Sequence, residues 1–254
     1  MKIAIVTGAS SGIGREFVRQ IDATETLDEI WVIARRTERL EELKSAIKTP
    51  IRCISLDLSN ESSDESLSYM LSDDSPDVRI LVNAAGYGKF GAFEDLSLPE
   101  QEGMIRLNVQ ALTKITYRVL PYMNSGSKIY QVASMSGFMP LPYISVYAAT
   151  KAYVVSYSRA LDTELSRRDI RVMAVCPGWT RTEFFDRAVE HDGVIVYYNK
   201  FYTPEQVVGR ALKDMKKGKT VSLCGFSVKK LVFFMKIIPH RIGMWIWCKQ
   251  QKKC

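Results

Sequence analysis

An α/β fold, with a parallel sheet covered by helices on both faces, is what this sequence predicts, and three observations predict it. Six short β-branched runs alternate with longer amphipathic stretches. Each run is apolar along nearly its whole length, as strands buried on both faces are. The first run ends directly in a glycine turn that opens a helix. A chain of 254 residues that is 46% hydrophobic can bury a substantial core as one domain.

The elements follow in order. "KIAIV" (2–6) is the first predicted strand, and "TGASSGIGRE" turns from it into a helix. "EIWVI" (29–33) is the second strand, followed by a helix over 37–48 with Leu40, Leu43 and Ile47 at i, i+3 and i+7. After "IRCISL" (51–56) comes a polar helix over 61–72 carrying Leu67, Met70 and Leu71. The Ser/Asp-rich stretch 59–76 is too short and too periodic to divide domains. "RILVN" (79–83), "KIYQVA" (128–133) and "IRVMAV" (170–175) complete the strands, with long helices over 99–123 and 145–167 between them. No internal repeat is present. The expectation is a single, doubly wound, three-layer sandwich of the Rossmann type.

Bulk chemistry narrows the function. The net charge of +7 belongs to the carboxyl end: ten Lys/Arg and no acid follow Asp214, leaving 25 basic against 28 acidic residues before it. With a slightly acidic body and no basic stripe, nucleic acid is not an expected partner. Cys53, Cys176, Cys224, Cys248 and Cys254 lack CxxC or framework spacing and read as reduced thiols. His191 and His240 stand far apart without neighbouring ligands, so neither a metal site nor a Ser-His-Asp arrangement is expected. The amino end has the pattern of a strand and not of a leader, which makes a cytoplasmic protein the expectation.

A turn that must face a pyrophosphate needs residues without side chains, and a helix amino terminus supplies free N–H groups and partial positive charge. Gly8, Ser10, Ser11, Gly12, Ile13 and Gly14 are placed to do this. The second strand ends "VIARRTERL", with no Asp or Glu for ribose hydroxyls. Arg35 suits a 2′-phosphate instead, which points to NADP(H) over NAD(H); the alternative is that Arg35 and Arg36 only border a solvated helix start. Within "SVYAATKAYV" (145–154), Tyr147 and Lys151 lie four residues apart, so on a helix both tips share one face. The small Ala148, Ala149 and Thr150 between them are expected to leave room for a ligand.

Taken together, "TGASSGIG", "NAAG" (83–86), "LN" (107–108), "VASMSG" (132–137), "YAATK" (147–151) and "PGWTRT" (177–182) resemble the short-chain dehydrogenase/reductase family over about residues 2–182. The chain is similar in particular to the hydroxysteroid dehydrogenases and ketoacyl reductases of that family. The resemblance implies Tyr147 as proton donor and acceptor, Lys151 as its electrostatic partner, and Ser134, thirteen residues before the tyrosine, as the holder of the substrate oxygen, with Ser136 its competitor. It implies Asn108 as the anchor of a water leading to the lysine. Asp57 and Leu58 fall beside the adenine, Asn83, Ala84 and Gly86 under the ribose, and Pro177, Gly178, Thr180 and Thr182 around the nicotinamide amide. Two positions depart from the family pattern: Ala84 replaces a commoner asparagine, and Ser11 stands where many NADP-using members carry a basic residue. Pairing through the tyrosine helix into a homodimer or homotetramer is also implied.

Hydride addition to a ketone requires a proton at the oxygen, and a free phenol of pKa about 10 is a weak source. An ammonium about 4 Å away contributes about 4 kcal/mol at an effective dielectric near 20, so the expectation is a phenol pKa lowered by about two or three. Residues 183–203 occupy the family's variable substrate loop, where Phe184, Phe185, Val194, Ile195, Tyr197 and Tyr198 would form an apolar wall for a bulky steroid, bile-acid or acyl substrate. Residues 1–226 then form the catalytic domain and 227–254 a basic, apolar tail. In the tail, Leu231, Phe234, Met235 and Ile238 fall on one helical face, Pro239 breaks the helix, and Met244–Trp247 form a second apolar cluster. It is too interrupted to span a bilayer. Membrane-surface contact, substrate lid and oligomer contact all stay open. The leading reading is an NADP(H)-dependent oxidoreductase; a cofactor-sensing protein without turnover, or a membrane-surface adaptor, are the alternatives.

Overall fold

A computed structural model describes residues 1–188 and 194–253, the side chain of Arg187 excepted. His191, the middle of the expected substrate loop and Cys254 lie outside the described residues. The strands are β1 (Lys2–Thr7), β2 (Glu29–Ala34), β3 (Ile51–Ser55), β4 (Asp77–Asn83), β5 (Lys128–Val132), β6 (Arg171–Val175) and β7 (Val221–Ser222). The helices are α1 (Gly12–Thr24), α2 (Thr37–Lys44), α3 (Ser62–Asp74), α4 (Leu98–Ile105), α5 (Leu112–Val119), α6 (Ser145–Leu165), α7 (Phe184–Ala188), α8 (Pro204–Lys216), α9 (Phe226–Ile237) and α10 (His240–Gln250).

The strands form one parallel sheet in the order β3-β2-β1-β4-β5-β6-β7, the doubly wound arrangement expected. Alternate residues of each strand feed opposite faces. Ala4 and Val6 join the core on one side with Val32 and Val82, whereas Ile3 and Ile5 join the other with Trp31 and Ile33. Both faces are apolar because both are covered.

Helices α7 and α8 and strand β7 have no counterpart in the sequence reading, α7 lying within the stretch read as the substrate loop. Helix α8 begins with Pro204 and a capping box in which Thr203 and Gln206 exchange hydrogen bonds, so "TPEQ" carried its start signal. Strand β7 is two residues long and shows no periodicity to read. The long helix expected over 99–123 is also divided: Arg106–Ala111 is π-helical, and α5 ends before a 3₁₀ turn containing Pro121.

The chain runs outward from β1 to β3 and then crosses back to β4. The turns after β1 and β4 therefore sit side by side at the carboxyl edge of the sheet, where open α/β sheets bind ligands. Thr7 Oγ1 joins them, accepting from the N–H groups of Ala84 and Ala85 at 3.1 Å each.

Candidate active site

At that edge the glycine turn is packed to the limit. A Cβ on Gly8, whose φ is +67°, would stand 2.7 Å from Ala85 N, and one on Gly14 would overlap Gly8 O. Ser11 caps α1 without a side-chain bond to its N–H groups, and no acid lies in the first turn. These free donors and the helix dipole face the cavity, so the turn fits a dinucleotide diphosphate. Arg35 is largely exposed, 3.7 Å from Asp57, while Arg36 donates to Ser10 Oγ at 3.1 Å and pairs with Glu183 at 2.8 Å.

Helix α6 carries the next group. Tyr147 and Lys151 are 8% and 6% exposed and line the same cavity as the glycine turn. Lys151 Nζ donates to Val132 O at 2.8 Å and lies 5.8 Å from the centre of the Tyr147 ring. Burial pushes the Lys151 ammonium down to about 8 and the Tyr147 phenol up to about 12. The hydroxyls of Ser134 and Ser136 pull the phenol partly back, although Ser136 Oγ reaches no partner at good hydrogen-bond geometry. The lowered phenol expected from the Tyr-Lys spacing is thus not found in the chain by itself, because loss of water outweighs the pull of the two serine hydroxyls. The small residues also act differently. Ala148 is in the core, Ala149 faces outward and Thr150 bonds Asn108, since the positions between i and i+4 point to other faces of the helix.

Two expected site residues do not reach the cavity. Asn83 is 2% exposed, and its amide donates to Thr116 Oγ1 and Gln131 Oε1, both at 3.0 Å, within the core. Asn108, on the π-helical turn, donates to Tyr87 O and Thr150 Oγ1 and accepts from Tyr87 N. Its side chain thereby ties the loop after β4 to α6. The remaining predicted residues all line the cavity: Gly8 to Gly14 of the turn, Arg35, Asp57, Leu58, Ala84, Gly86, Ser134, Tyr147, Lys151, Pro177, Gly178, Thr180 and Thr182.

The cavity, of about 740 Å³, continues past Tyr147 into an apolar half. Phe90 and Phe184 pack with the phenol ring as a three-ring cluster, their centroids 5.8 and 5.5 Å from that of Tyr147 and 6.0 Å from each other. Phe185 and Tyr197 from the expected loop line it too, and Tyr198 packs behind them on Trp179 at 4.9 Å. Val194 is half-buried and Ile195 belongs to the core. The sequence reading missed Phe90 and the Met139, Leu141 and Ile144 wall, which the apolar "FMPLPYI" (138–144) between Ser134 and Tyr147 signals. Leu231, Phe234, Met235 and Ile238 of the tail line the cavity as well, joined by Trp247, whose indole donates to Pro142 O at 2.9 Å.

Comparison with known proteins adds the context. A family profile described as short chain dehydrogenase matches residues 2–193. The chain is 32% identical over 249 residues to a sulfoacetaldehyde reductase of Chromohalobacter salexigens, covering 95% of this chain and 91% of that one. Among solved structures it is similar to a short-chain dehydrogenase from Sphingobium yanoikuyae in complex with NADPH, with a TM-score of 0.80, 27% identity, and coverage of 97% and 96%. A 3-ketoacyl-(acyl-carrier-protein) reductase from Brucella melitensis complexed with NADH gives a TM-score of 0.74 at 25% identity, covering 87% of this chain and 95% of that one.

Proposed function

The chain belongs to the short-chain dehydrogenase family, a nicotinamide-dependent enzyme class acting on CH–OH groups, and from that premise we propose its substrate, cofactor and acid–base residue. It interconverts a hydrophobic secondary alcohol and its ketone, of steroid, bile-acid or acyl type, with Tyr147 as general acid and base and NADP(H) preferred over NAD(H). The observation that carries the reading is the Tyr147 phenol standing at the junction of the glycine-turn cleft and an apolar chamber walled by Phe90, Phe184, Leu141 and Trp247. The relative named for sulfoacetaldehyde acts, by that name, on a sulfonated aldehyde; the apolar wall here argues for a different substrate.

The nicotinamide ring, when bound, supplies or takes the hydride. Each protein group then has a task. Ser134 holds the substrate oxygen, Tyr147 gives or takes the proton at that oxygen, and Lys151 restrains the charge that develops there. The apolar walls exclude water from the reacting atoms. Arg35 meets the 2′-phosphate, since no acid stands at the end of β2 to favour a free ribose hydroxyl. We place the enzyme in the cytoplasm, as a homodimer or homotetramer paired through α6. Light scattering of the purified chain tests the oligomer.

The test of function is a screen of hydrophobic ketones and hydroxysteroids against the wild-type chain and Tyr147→Phe, following NADPH and NADH oxidation in parallel. Expected is turnover of bulky ketones with NADPH, falling by about 10²–10⁴-fold in the variant while cofactor binding is kept. Turnover confined to small charged sugars, or an unaffected Tyr147→Phe, overturns the reading.

A further inference from the structure

We propose that α9 and α10 form a docking surface for an anionic lipid bilayer, at the mouth of the apolar half of the cavity. The two helices are used on both sides. Their inner faces bury Val228, Val232, Met235 and Trp247 against the body and line the cavity with Leu231, Ile238 and Gly243. Their outer faces are apolar too, where solvated helices carry polar groups. Phe226 (82% exposed), Phe233 (61%) and Ile237 (62%) follow one another at spacings of seven and four along α9, and Ile242 and Trp245 (54%) stand out from α10.

The charge around these residues selects the occupant. Lys229, Lys230, Lys236, Arg241 and Lys249 sit on the two helices, Lys252 and Lys253 follow, and no acid occurs after Asp214. A second copy of the chain pairing through this face would bring two such cationic sets together with no carboxylate on either side. An anionic headgroup layer neutralises them. The ammonium groups also stand over the rings: Lys230 Nζ is 5.9 Å from the Phe234 ring centre and Lys249 Nζ 5.1 Å from that of Trp245. Rings directed to the acyl boundary beside ammonium groups at phosphate level match the interfacial region better than they match the surface of an acidic protein. No described helix is long and apolar enough to cross a membrane, so the contact lies along the surface.

Phe234 and Ile246 connect this face to the chemistry, since both line the cavity and both are exposed. They form a rim between the two helices, through which a lipid-soluble substrate would pass from the bilayer without entering water. The docking itself goes beyond the functional reading above and does not depend on it.

The test is flotation of the full chain with vesicles of phosphatidylcholine alone or mixed with phosphatidylglycerol in a roughly 2:1 ratio. Binding to the anionic vesicles should exceed that to neutral ones by about tenfold or more and weaken as salt is raised. Phe233→Ser with Trp245→Ser, and separately Lys229→Glu with Lys230→Glu, should each lower it by about tenfold. Lys230, Phe233 and Trp245 are exposed and Lys229 half-buried, and circular dichroism should show both variants folded. Tyr147→Phe, inactive as an enzyme, should float like wild type. No preference for anionic vesicles, or unchanged flotation of both double variants, overturns the proposal. So does a change of oligomeric state in the double variants without a change in flotation, which would assign the face to a second copy.

Discussion

Replacing Lys151 by methionine should make the cofactor-free protein more stable at neutral pH while removing its activity. Lys151 is buried, and burial lowers its pKa from 10.5 to about 8. At about 1.4 kcal/mol per pH unit, keeping the ammonium charged in the fold costs about 3 kcal/mol. The sign follows from proton uptake. The native pKa is depressed, so the unfolded chain takes the proton first as pH falls from 10.5, and stability is lost progressively until pH passes below about 8. Wild type therefore bears the full cost at pH 7 and none above pH 10.5. Methionine removes the charge but leaves Val132 O without its 2.8 Å donor, a loss of about 1 kcal/mol. The net expectation is a gain of about 2 kcal/mol at pH 7 that disappears, and slightly reverses, by about pH 10.5. Urea unfolding of both proteins at several pH values measures it, and their difference cancels every titration the two share. A variant no more stable than wild type at pH 7, or a difference that stays constant between pH 8 and 10.5, would refute the assignment of Lys151 as a strained, buried cation.

Three further substitutions examine separate parts of the site. Asn83→Ala should lower stability by about 2 kcal/mol, because Thr116 and Gln131 lose a shared buried partner, yet leave the cofactor KM unchanged; a raised KM would return Asn83 to the binding site. Arg35→Ala should reduce kcat/KM with NADPH by about ten- to a hundredfold and with NADH hardly at all, as expected for a charge-assisted bond to a 2′-phosphate. Equal losses with both cofactors would instead make Arg35 a structural partner of Asp57. Trp247→Phe keeps an aromatic ring, smaller than the indole, but loses the bond to Pro142 O, and should raise KM for bulky ketones severalfold with little change in kcat. A fall confined to kcat would deny α10 a part in the substrate wall.

The sheet was legible because strands buried on both faces must be apolar throughout, and six of the seven read that way. Gly8, Gly12 and Gly14 were legible for a similar reason: backbone contact excludes side chains, and the sequence records the exclusion directly. What it does not record is where a polar side chain points at the end of an element. Asn83 is the last residue of β4, and the pleat turns it into the core beside Gln131 instead of up into the cleft. Asn108 sits where the helix changes to a π turn, which no apolar period announces. The contact of Trp247 with Pro142 spans 105 residues and could not come from local pattern. The tail was the reverse case. Its inner stripe, from Leu231 to Ile238, was readable as an apolar face, but only packing could tell that the stripe lines the same cavity as Tyr147.

The phenol teaches most about what spacing alone omits. Setting Tyr147 and Lys151 four residues apart on a helix predicts attraction between a phenolate and an ammonium, and so an easier proton loss. The same walls that bring the two together also remove the water that would solvate either ion. In this chain the second effect is larger for both groups: the phenol rises to about 12 and the ammonium falls to about 8. Near pH 7 the pair is then a neutral phenol beside a cation, with only about one phenol in 10⁵ ionised. That is the state required to give a proton to a ketone oxygen; an ordinary phenol already holds it at pH 7, and burial reinforces it. Taking a proton from an alcohol needs the phenolate, against which burial works, with the Ser134 and Ser136 hydroxyls the groups that favour it. The apolar enclosure of Tyr147 thus sets the resting site as an acid, and proton abstraction depends on whatever additional positive charge is brought into the cavity.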